Sequence, residues 1–439
     1  MFRLKEQLTN GFILKVLIGL IGIFSVYVQL NFLGVESYGL WVTIFSMSAW
    51  FSLIDGGIGS GLRNKLGEQV KIGNNHEAVS YVFSAAVILF LSLCLLYFLL
   101  FNLIYATDVS FLFPQNGKII NLEEILALTL LSFLLLILSK FWLNIPAAFH
   151  YSEWSSASYL LQQVVFIVLI FLFNLEWQGE NSSLYNLVKL HLFSIVISYL
   201  PISFYAAIKF LGLKELIKSK FSFNKFRSIF NLGWKFFIIQ TCAILLYSTD
   251  LYIINYFFGG NDSAEYSVNQ KYFGIMMLLA SVFAAPLWSM VVSIKKNGNK
   301  GKFLEYKPMI IKFFLIIVFG LLGLIVGRDL VFSYWLSHEI FYNNYDISIL
   351  IMILTLFNSL MLIIGYIVNG FGHLRLQMYT AIFASVANVL LSIGGIILFD
   401  YGVNWVILVS ILVSIPGMYF GMLQIFRLVH GNAFGVFVK

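Results

Sequence analysis

The segment that decides the fold is residues 80–104, SYVFSAAVILFLSLCLLYFLLFNLI, which contains no charged side chain. A helix needs about 20 mainly apolar residues to cross roughly 30 Å of hydrocarbon, and this segment is long enough. It is apolar throughout, whereas a strand of a membrane β-barrel alternates between apolar and polar residues. The segment therefore predicts a transmembrane α-helix.

The rest of the chain repeats this pattern. Of its 439 residues, 60% are hydrophobic and 11% are charged, against about 25% charged in an ordinary soluble domain. The same length criterion predicts twelve spans: 12–32, 38–59, 80–104, 122–143, 156–174, 185–208, 233–257, 266–292, 309–333, 346–370, 376–399 and 405–427. We therefore expect an all-α, multi-pass membrane protein.

The positive charges predict how these spans are oriented. The net charge of +7 could suggest nucleic-acid binding, but the cations cluster in alternate loops, so no nucleic-acid partner is expected. Nineteen Lys and Arg residues fall in the even-numbered loops and at the termini, while the odd-numbered loops hold only Lys118. Since cytoplasmic loops of membrane proteins are enriched in Lys and Arg, both termini are predicted to be cytoplasmic.

The chain also divides into two halves. The longest basic segment, 209–232, separates six predicted spans in residues 1–208 from six in residues 233–439. Pro201 and Pro416 interrupt the last span of each half. Two halves with the same topology suggest a parallel repeat, with a transport pathway expected between two six-helix lobes. The alternative is that such coincidences arise by chance in helical membrane proteins.

Two charges inside the predicted spans need a special explanation, because a charge in the bilayer is costly. At about 1.5 Å per residue, Asp250 lies about 10 Å and Lys271 about 8 Å from the outer ends of consecutive antiparallel helices. Lys189 adds a charge at comparable depth. Either a polar patch lines an outward-opening cavity, or Asp250 and Lys271 form a structural ion pair. Excess positive charge slightly favours the cavity, with an anionic cargo.

Other charged or glycine-rich positions have simpler interpretations. Lys140 is near a cytoplasmic end, where a long side chain can reach water. Arg328 and Asp329 are expected to form a solvated local pair. The Gly-rich stretch that begins at Asp55 lacks the Lys-Ser/Thr of a phosphate-binding loop and is interpreted as a flexible hinge.

No enzyme site is predicted. The six histidines show no metal-ligand spacing, and the two cysteines, Cys94 and Cys242, both lie in apolar runs. No cofactor is therefore expected, although a coupling H⁺ or Na⁺ is left open.

Four stretches of the chain resemble a known family. They are 33–41 (LGVESYGLW), 55–66 (DGGIGSGLRNKL), 266–273 (YSVNQKYF) and 369–377 (NGFGHLRLQ). The first two resemble the amino-terminal signature of Wzx-type polysaccharide-repeat (O-antigen) flippases. Those flippases belong to the multidrug/oligosaccharidyl-lipid/polysaccharide (MOP) exporter superfamily.

The resemblance implies a V-shaped transporter of the bacterial inner membrane. Its implied cargo is undecaprenyl-diphosphate-linked oligosaccharide, flipped to the periplasmic leaflet by alternating access through a cationic cavity between the lobes. Membrane lipid is a further implied partner, as are the polysaccharide polymerase and the chain-length machinery. O-antigen and capsule assembly both remain open as the pathway served.

The resemblance also implies roles for particular residues. Lys271 would line the cavity, with Lys189 and Lys140 as weaker candidates, and Asp250 would orient Lys271 or take up a coupling proton. The cytoplasmic entrance would be formed by four residues: Asp55, Arg63, Lys65 and Arg375.

Two other classes of membrane protein have a similar hydropathy pattern. A small-molecule or multidrug antiporter of the same superfamily would share the architecture, but it is expected to concentrate acids in one lobe. A polysaccharide polymerase or ligase generally carries a large external loop rich in Arg or His. The longest external loop here, 105–121, has only Lys118 as a base, which argues against that enzyme.

Overall fold

The protein is described by a computed structural model. It covers residues 2–51, 55–59, 61–63, 65–66, 75–116, 119–149, 151, 153–176, 183–296, 300–336, 341, 344–373, 375–431 and 435–437. Lys118 lies outside these residues. All regular elements among them are helical, as the composition predicts.

Fifteen α-helices are present in the described residues. In chain order they are α1 Phe2–Leu33, α2 Val35–Phe51, α3 Asn75–Ala106, α4 Leu122–Ala148, α5 Glu153–Glu176, α6 Ser183–Leu211, α7 Leu213–Lys218, α8 Phe223–Tyr247, α9 Thr249–Phe258, α10 Gly260–Lys296, α11 Lys307–Val326, α12 Arg328–Trp335, α13 Tyr345–Phe371, α14 Arg375–Phe399 and α15 Val403–Val429. Short 3-10 turns occur at Val109–Leu112, Lys300–Tyr306 and Gly435–Phe437.

Ten helical segments in the described residues are long and apolar enough to cross a membrane. The chain is therefore a multi-pass membrane protein. Of the two remaining predicted spans, 38–59 begins within α2 and 266–292 lies within α10. Helix α2 has 17 residues, and α10 opens with a polar stretch. The count of twelve and the cytoplasmic position of both termini stay predictions.

Span seven is not the continuous helix that the sequence predicts. Helix α8 ends at Tyr247, and α9 starts at Thr249 after a turn at Ser248. Asp250 therefore lies in the first turn of a new helix. The positive end of the helix dipole favours an anionic side chain at that position.

The two prolines were expected to interrupt their spans, and they do not. Helix α6 continues through Pro201, and α15 continues through Pro416. Proline is tolerated inside membrane helices because neighbouring groups can satisfy the carbonyl that it leaves without a partner.

The chain forms two compact units, Met1–Thr241 (unit 1) and Cys242–Lys439 (unit 2). The basic segment 209–232 falls inside unit 1, where two hydrogen bonds join it to α3. The Ser80 hydroxyl donates to the carbonyl of Lys220 at 3.1 Å, and the amide of Ser222 donates to the Ser84 hydroxyl at 2.9 Å. These contacts fix the segment against the start of α3.

One aromatic cluster in unit 1 surrounds a buried histidine. The imidazole ring of His191 on α6 lies 5.4–6.2 Å from four aromatic rings of α2, α4 and α5, which belong to Trp41, Phe45, Phe133 and Phe166. No group of His, Cys, Asp and Glu among the described residues could hold a metal ion. His191 therefore packs as part of an aromatic core.

The sequence predicts that the Gly-rich stretch beginning at Asp55 is a flexible hinge. In the structure this stretch is a contact surface. A Cβ atom on Gly57 would lie 2.2 Å from the carbonyl oxygen of Gly233, and one on Gly61 would lie 2.4 Å from that of Ile229. Gly57 also has a φ of +76°, a conformation that favours glycine. Glycine is needed here because α8 approaches the stretch backbone to backbone.

Candidate cationic transport site

Most long helices expose apolar side chains. Helix α3 exposes Phe90, Leu91, Leu95, Phe98 and Leu99, and α14 exposes Ile382, Phe383, Val386, Leu390 and Leu391. Continuous apolar surface of this kind is costly in water and is stable in contact with lipid. These faces are therefore assigned to the lipid.

Helices α4 and α10 are different, since neither exposes a large hydrophobic residue among its described side chains. The exposed positions of α4 are Glu124, near its start, and Lys140. Those of α10 are Asn261, near its start, and the adjacent Gln270 and Lys271. The exposed side chains of both helices are thus polar, and each helix exposes one lysine.

The structural ion pair between Asp250 and Lys271, one of the two alternatives that the sequence leaves open, is not formed. Within the described part of the chain, Lys271 has no salt bridge, and its side chain is exposed on α10. Asp250 is 1% exposed and points instead to α14 and α15. Of the two alternatives left open by the sequence, the structural pair is wrong.

Asp250 is held by neutral donors. The side-chain amide of Asn388 donates to its Oδ1 at 2.8 Å, and the hydroxyl of Ser410 donates to its Oδ2 at 2.5 Å. The Asn388 amide also approaches the carbonyl of Leu246 at 3.3 Å. The Thr249 hydroxyl is buried beside Asp250 in the chain without a hydrogen-bond partner among the described residues.

The negative charge of Asp250 is not balanced by these neutral donors. A buried carboxylate normally pairs with a cation or takes up a proton, because burying an isolated charge is expensive. No cationic side chain pairs with Asp250 within the described residues. Carboxylate and hydroxyl oxygens are hard donors that suit a small cation, whereas Asn388 turns its amide nitrogen toward Asp250. Asp250 with Asn388 and Ser410 is called the Asp250 cluster below.

In unit 1, polar groups gather at the end of α4 that carries Lys140. The Asn144 amide donates to the Lys140 carbonyl at 3.1 Å. A Cβ on Gly59 would lie 2.8 Å from the Asn144 amide nitrogen and 3.1 Å from an oxygen of Asp55. Asp55 in turn accepts the amide of Gly57 at 2.7 Å. Asp55 therefore lies beside Asn144, one helical turn from Lys140.

The remaining predicted site residues are dispersed. Arg63 is exposed and Lys65 is half-buried on the segment that follows Asp55, while Arg375 is exposed at the start of α14. The Lys189 ammonium lies 3.9 Å from the ring centroid of Tyr185, one turn earlier on α6. This local cation–π contact accounts for Lys189 without a ligand.

Arg328 and Asp329 pair as expected, with Nη1 and Oδ1 3.0 Å apart, but of the two side chains only Asp329 is solvated as predicted. The Arg328 side chain is fully buried, and its Nη2 donates to the carbonyl of Phe341 at 2.5 Å. The guanidinium also stacks on the rings of Phe332 and Tyr345. Backbone carbonyls and aromatic faces surround the Arg328 guanidinium, where the sequence predicts water.

Sequence reasoning missed Asn388 and Ser410, which hold Asp250, and it also missed Gln270 beside Lys271. The only feature of the sequence that could have identified them is that each is a polar residue inside a predicted span. Many buried Ser and Asn residues share that signal, so it could not select these three.

Two proteins with assigned names are similar to this chain in sequence. No family model matches the chain. It is 25% identical over 299 residues to a Salmonella typhi protein named "Putative O-antigen transporter", a match that spans 65% of this chain and 64% of that protein. It is 23% identical over 340 residues to a "Putative O-antigen export protein" of Yersinia pseudotuberculosis, a match that spans 75% of this chain and 74% of that one.

Solved structures show the fold. An inward-facing multidrug resistance MATE family transporter of the MOP superfamily superimposes with a TM-score of 0.75 at 14% identity, covering 96% of this chain and all of that one. The lipid II flippase MurJ, in an inward closed conformation, gives a TM-score of 0.69 at 16% identity, covering 97% and 90%. The resemblance inferred from the sequence is confirmed: the chain is a relative of proteins named for O-antigen export, with the fold of MOP superfamily transporters.

Proposed function

We propose that this protein is a flippase of the bacterial inner membrane for undecaprenyl-diphosphate-linked oligosaccharide. It moves repeat units from the cytoplasmic to the periplasmic leaflet for O-antigen or capsule assembly. The names of its relatives and the likeness to a lipid II flippase support this proposal. The observation that supports it most is Lys271, a cation that is exposed on α10 and has no salt bridge within the described residues.

The cargo explains why such a cation is useful. A diphosphate with attached sugars cannot cross the hydrocarbon unaided, because its charges and hydroxyls would lose their water. Charge-assisted hydrogen bonds from lysine replace part of that lost solvation. In this proposal Lys271 binds the diphosphate, and Gln270 hydrogen-bonds to it or to the first sugar. Lys140 presents a second cation on the exposed face of α4.

The Asp250 cluster is proposed to bind the coupling cation, H⁺ or Na⁺. A bound cation would neutralise the buried Asp250 carboxylate, which among the described residues receives hydrogen bonds only from neutral donors. A cation gradient could then drive a conformational change, because the two states of the transporter would differ in affinity for the ion. Alternating access through a cationic cavity, as expected from the sequence, is the mechanism proposed.

The cytoplasmic entrance is proposed to include Asp55, Arg63, Lys65 and Arg375. Of these, Arg63 and Arg375 are exposed and can meet an anionic headgroup. Polysaccharide polymerase and chain-length proteins are proposed as later recipients of the flipped product.

A transport assay tests the proposal. Full-length protein is reconstituted in liposomes with undecaprenyl-diphosphate-linked oligosaccharide, and appearance of the sugar on the far leaflet is followed. Lys271→Gln should lower the initial rate roughly tenfold or more, since a hydrogen bond to a charged group contributes about 1.5–3 kcal/mol. Lys312→Gln is the matched control, because Lys312 is exposed on α11 beside the apolar Ile311 and Leu315.

The same vesicles separate flippase from drug antiporter. Transport of a lipophilic cation by the wild-type protein, without movement of the lipid-linked sugar, would favour the antiporter. Equal loss of sugar transport in Lys271→Gln and Lys312→Gln would overturn the role of Lys271.

A further inference from the structure

A second buried carboxylate lies at the start of α10, outside the proposed transport site. Glu265 precedes the predicted span 266–292 and is 5% exposed. Its Oε1 atom has no hydrogen-bond partner among the described residues. A buried carboxylate oxygen without a donor is expensive when ionised, so this side chain requires a physical explanation.

Glu265 faces a junction of three elements. Asp262 lies on the same helix, three residues earlier. Arg328, at the start of α12, interacts electrostatically with Glu265, and the side chain of Asn344, just before α13, hydrogen-bonds to it. The Arg328 guanidinium also approaches the carbonyls of Phe341 and Asn344, at 2.5 and 3.5 Å. Arg328 and Glu265 therefore join α10, α12 and the segment before α13.

Carboxylates outnumber cations at this junction. Asp329 already pairs with Arg328 and accepts a hydrogen bond from the Tyr345 hydroxyl. The nearby Tyr272 hydroxyl donates to the carbonyl of Leu324. If Glu265 and Asp262 were both ionised, Glu265 would face the charge of Asp262 while sharing the single guanidinium of Arg328 with Asp329. Protonation of one of them relieves that imbalance, and Glu265 is the most buried of the three.

The balance of interactions sets the pH range of that protonation. Burial raises the pKa of Glu265 to about 7, and repulsion from Asp262 adds to the rise. Arg328 and the hydrogen bond from Asn344 oppose it. The folded-state pKa of Glu265 is above its ordinary value of 4.5. Its contribution to the free energy of unfolding is therefore fully present below about pH 4.5 and is lost as the pH rises through about 7.

We propose that Glu265 is a proton-binding site whose occupancy secures the junction of α10, α12 and the segment before α13. The sequence predicts that this end of unit 2 faces outward, so the proton would come from the external medium. Since α10 also carries Lys271, loss of the proton loosens the anchored end of the helix that holds the candidate cargo site. The proposal concerns a proton alone and does not depend on the identity of the cargo.

Infrared spectroscopy of the full-length protein in lipid nanodiscs tests this site. The carbonyl-stretch band of protonated carboxyl groups is followed from pH 4 to 9, and the Glu265→Gln spectrum is subtracted at each pH. The difference should show one carboxyl group that loses its proton with a midpoint near 7. Two neighbours should move that midpoint in opposite directions. Asp262→Asn removes a repulsive charge and should lower it, while Asn344→Ala removes a donor and should raise it.

Thermal unfolding gives an independent readout. The wild-type melting temperature should fall between pH 5 and pH 8 by more than that of Glu265→Gln, which preserves shape and cannot titrate. The proposal is overturned if the infrared difference is absent, if its midpoint lies near the ordinary 4.5, or if Asp262→Asn and Asn344→Ala leave it unmoved. None of these results would bear on transport by Lys271, so the two proposals fail separately.

Discussion

At the scale of single residues, the helices accommodate charged side chains in three ways. Arg328 is buried, and a carboxylate, backbone carbonyls and aromatic faces solvate it. Asp250 is buried and receives two neutral donors. Lys271 is left exposed on a polar helix face. The first arrangement pairs opposite charges, whereas the other two leave a charge without an ion-pair partner among the described residues.

The donors to Asp250 give a prediction about stability. Asn388→Ala should destabilise the protein by about 1–3 kcal/mol, because it leaves a buried carboxylate oxygen without its amide donor. Thermal unfolding in detergent measures the change. Ser392→Ala is the control, since the Ser392 hydroxyl is 3.4 Å from Asn388 and does not reach Asp250.

A double-mutant cycle completes that experiment. The penalty of Asn388→Ala should shrink in an Asp250→Asn background, because residues that share a hydrogen bond are not additive. Equal penalties in both backgrounds would show that Asn388 acts only through packing.

At the scale of elements, the sequence located most of the helices. Residues 80–104 predicted a span, and α3 runs Asn75–Ala106, with the extra residues at the less apolar ends. The break at Ser248 was not predictable, because the apolar run 233–257 continues across it. The partners of Asp250 lie 138 and 160 residues further along the chain, so no local pattern identifies them.

Two glycines give a matched test of helix contacts. Gly61→Ala should destabilise unit 1 by about 1–3 kcal/mol, since the new methyl group would lie 2.4 Å from a backbone carbonyl of α8. Gly274→Ala should be neutral or stabilising by up to about 1 kcal/mol, because nothing lies within 4 Å and alanine favours a helix. Thermal melts of both variants measure the difference, and equal effects would argue against the close contact with α8.

At the scale of the whole molecule, the prediction that both termini are cytoplasmic rests on the concentration of Lys and Arg in alternate loops. A green fluorescent protein fused after Lys439 should fluoresce, because it folds in the cytoplasm, and so should one inserted in 209–232. A periplasmic alkaline phosphatase reporter should be active in the 105–121 loop. Fluorescence in the 105–121 loop, or phosphatase activity at the carboxyl terminus, would contradict the orientation and the twelve-span count.

The proposed transport of an anionic lipid requires water and positive charge to meet at Lys271 on α10, and cysteine labelling measures that directly. In a background without Cys94 and Cys242, Lys271→Cys should react with a charged, water-soluble thiol reagent, and added lipid-linked diphosphate should slow the reaction. Phe319→Cys is the control on the apolar face of α11, where the wild-type side chain is 67% exposed, and should resist the same reagent. Resistance at position 271, with reaction only by an uncharged, lipid-soluble reagent, would place that face in the acyl chains and contradict the account.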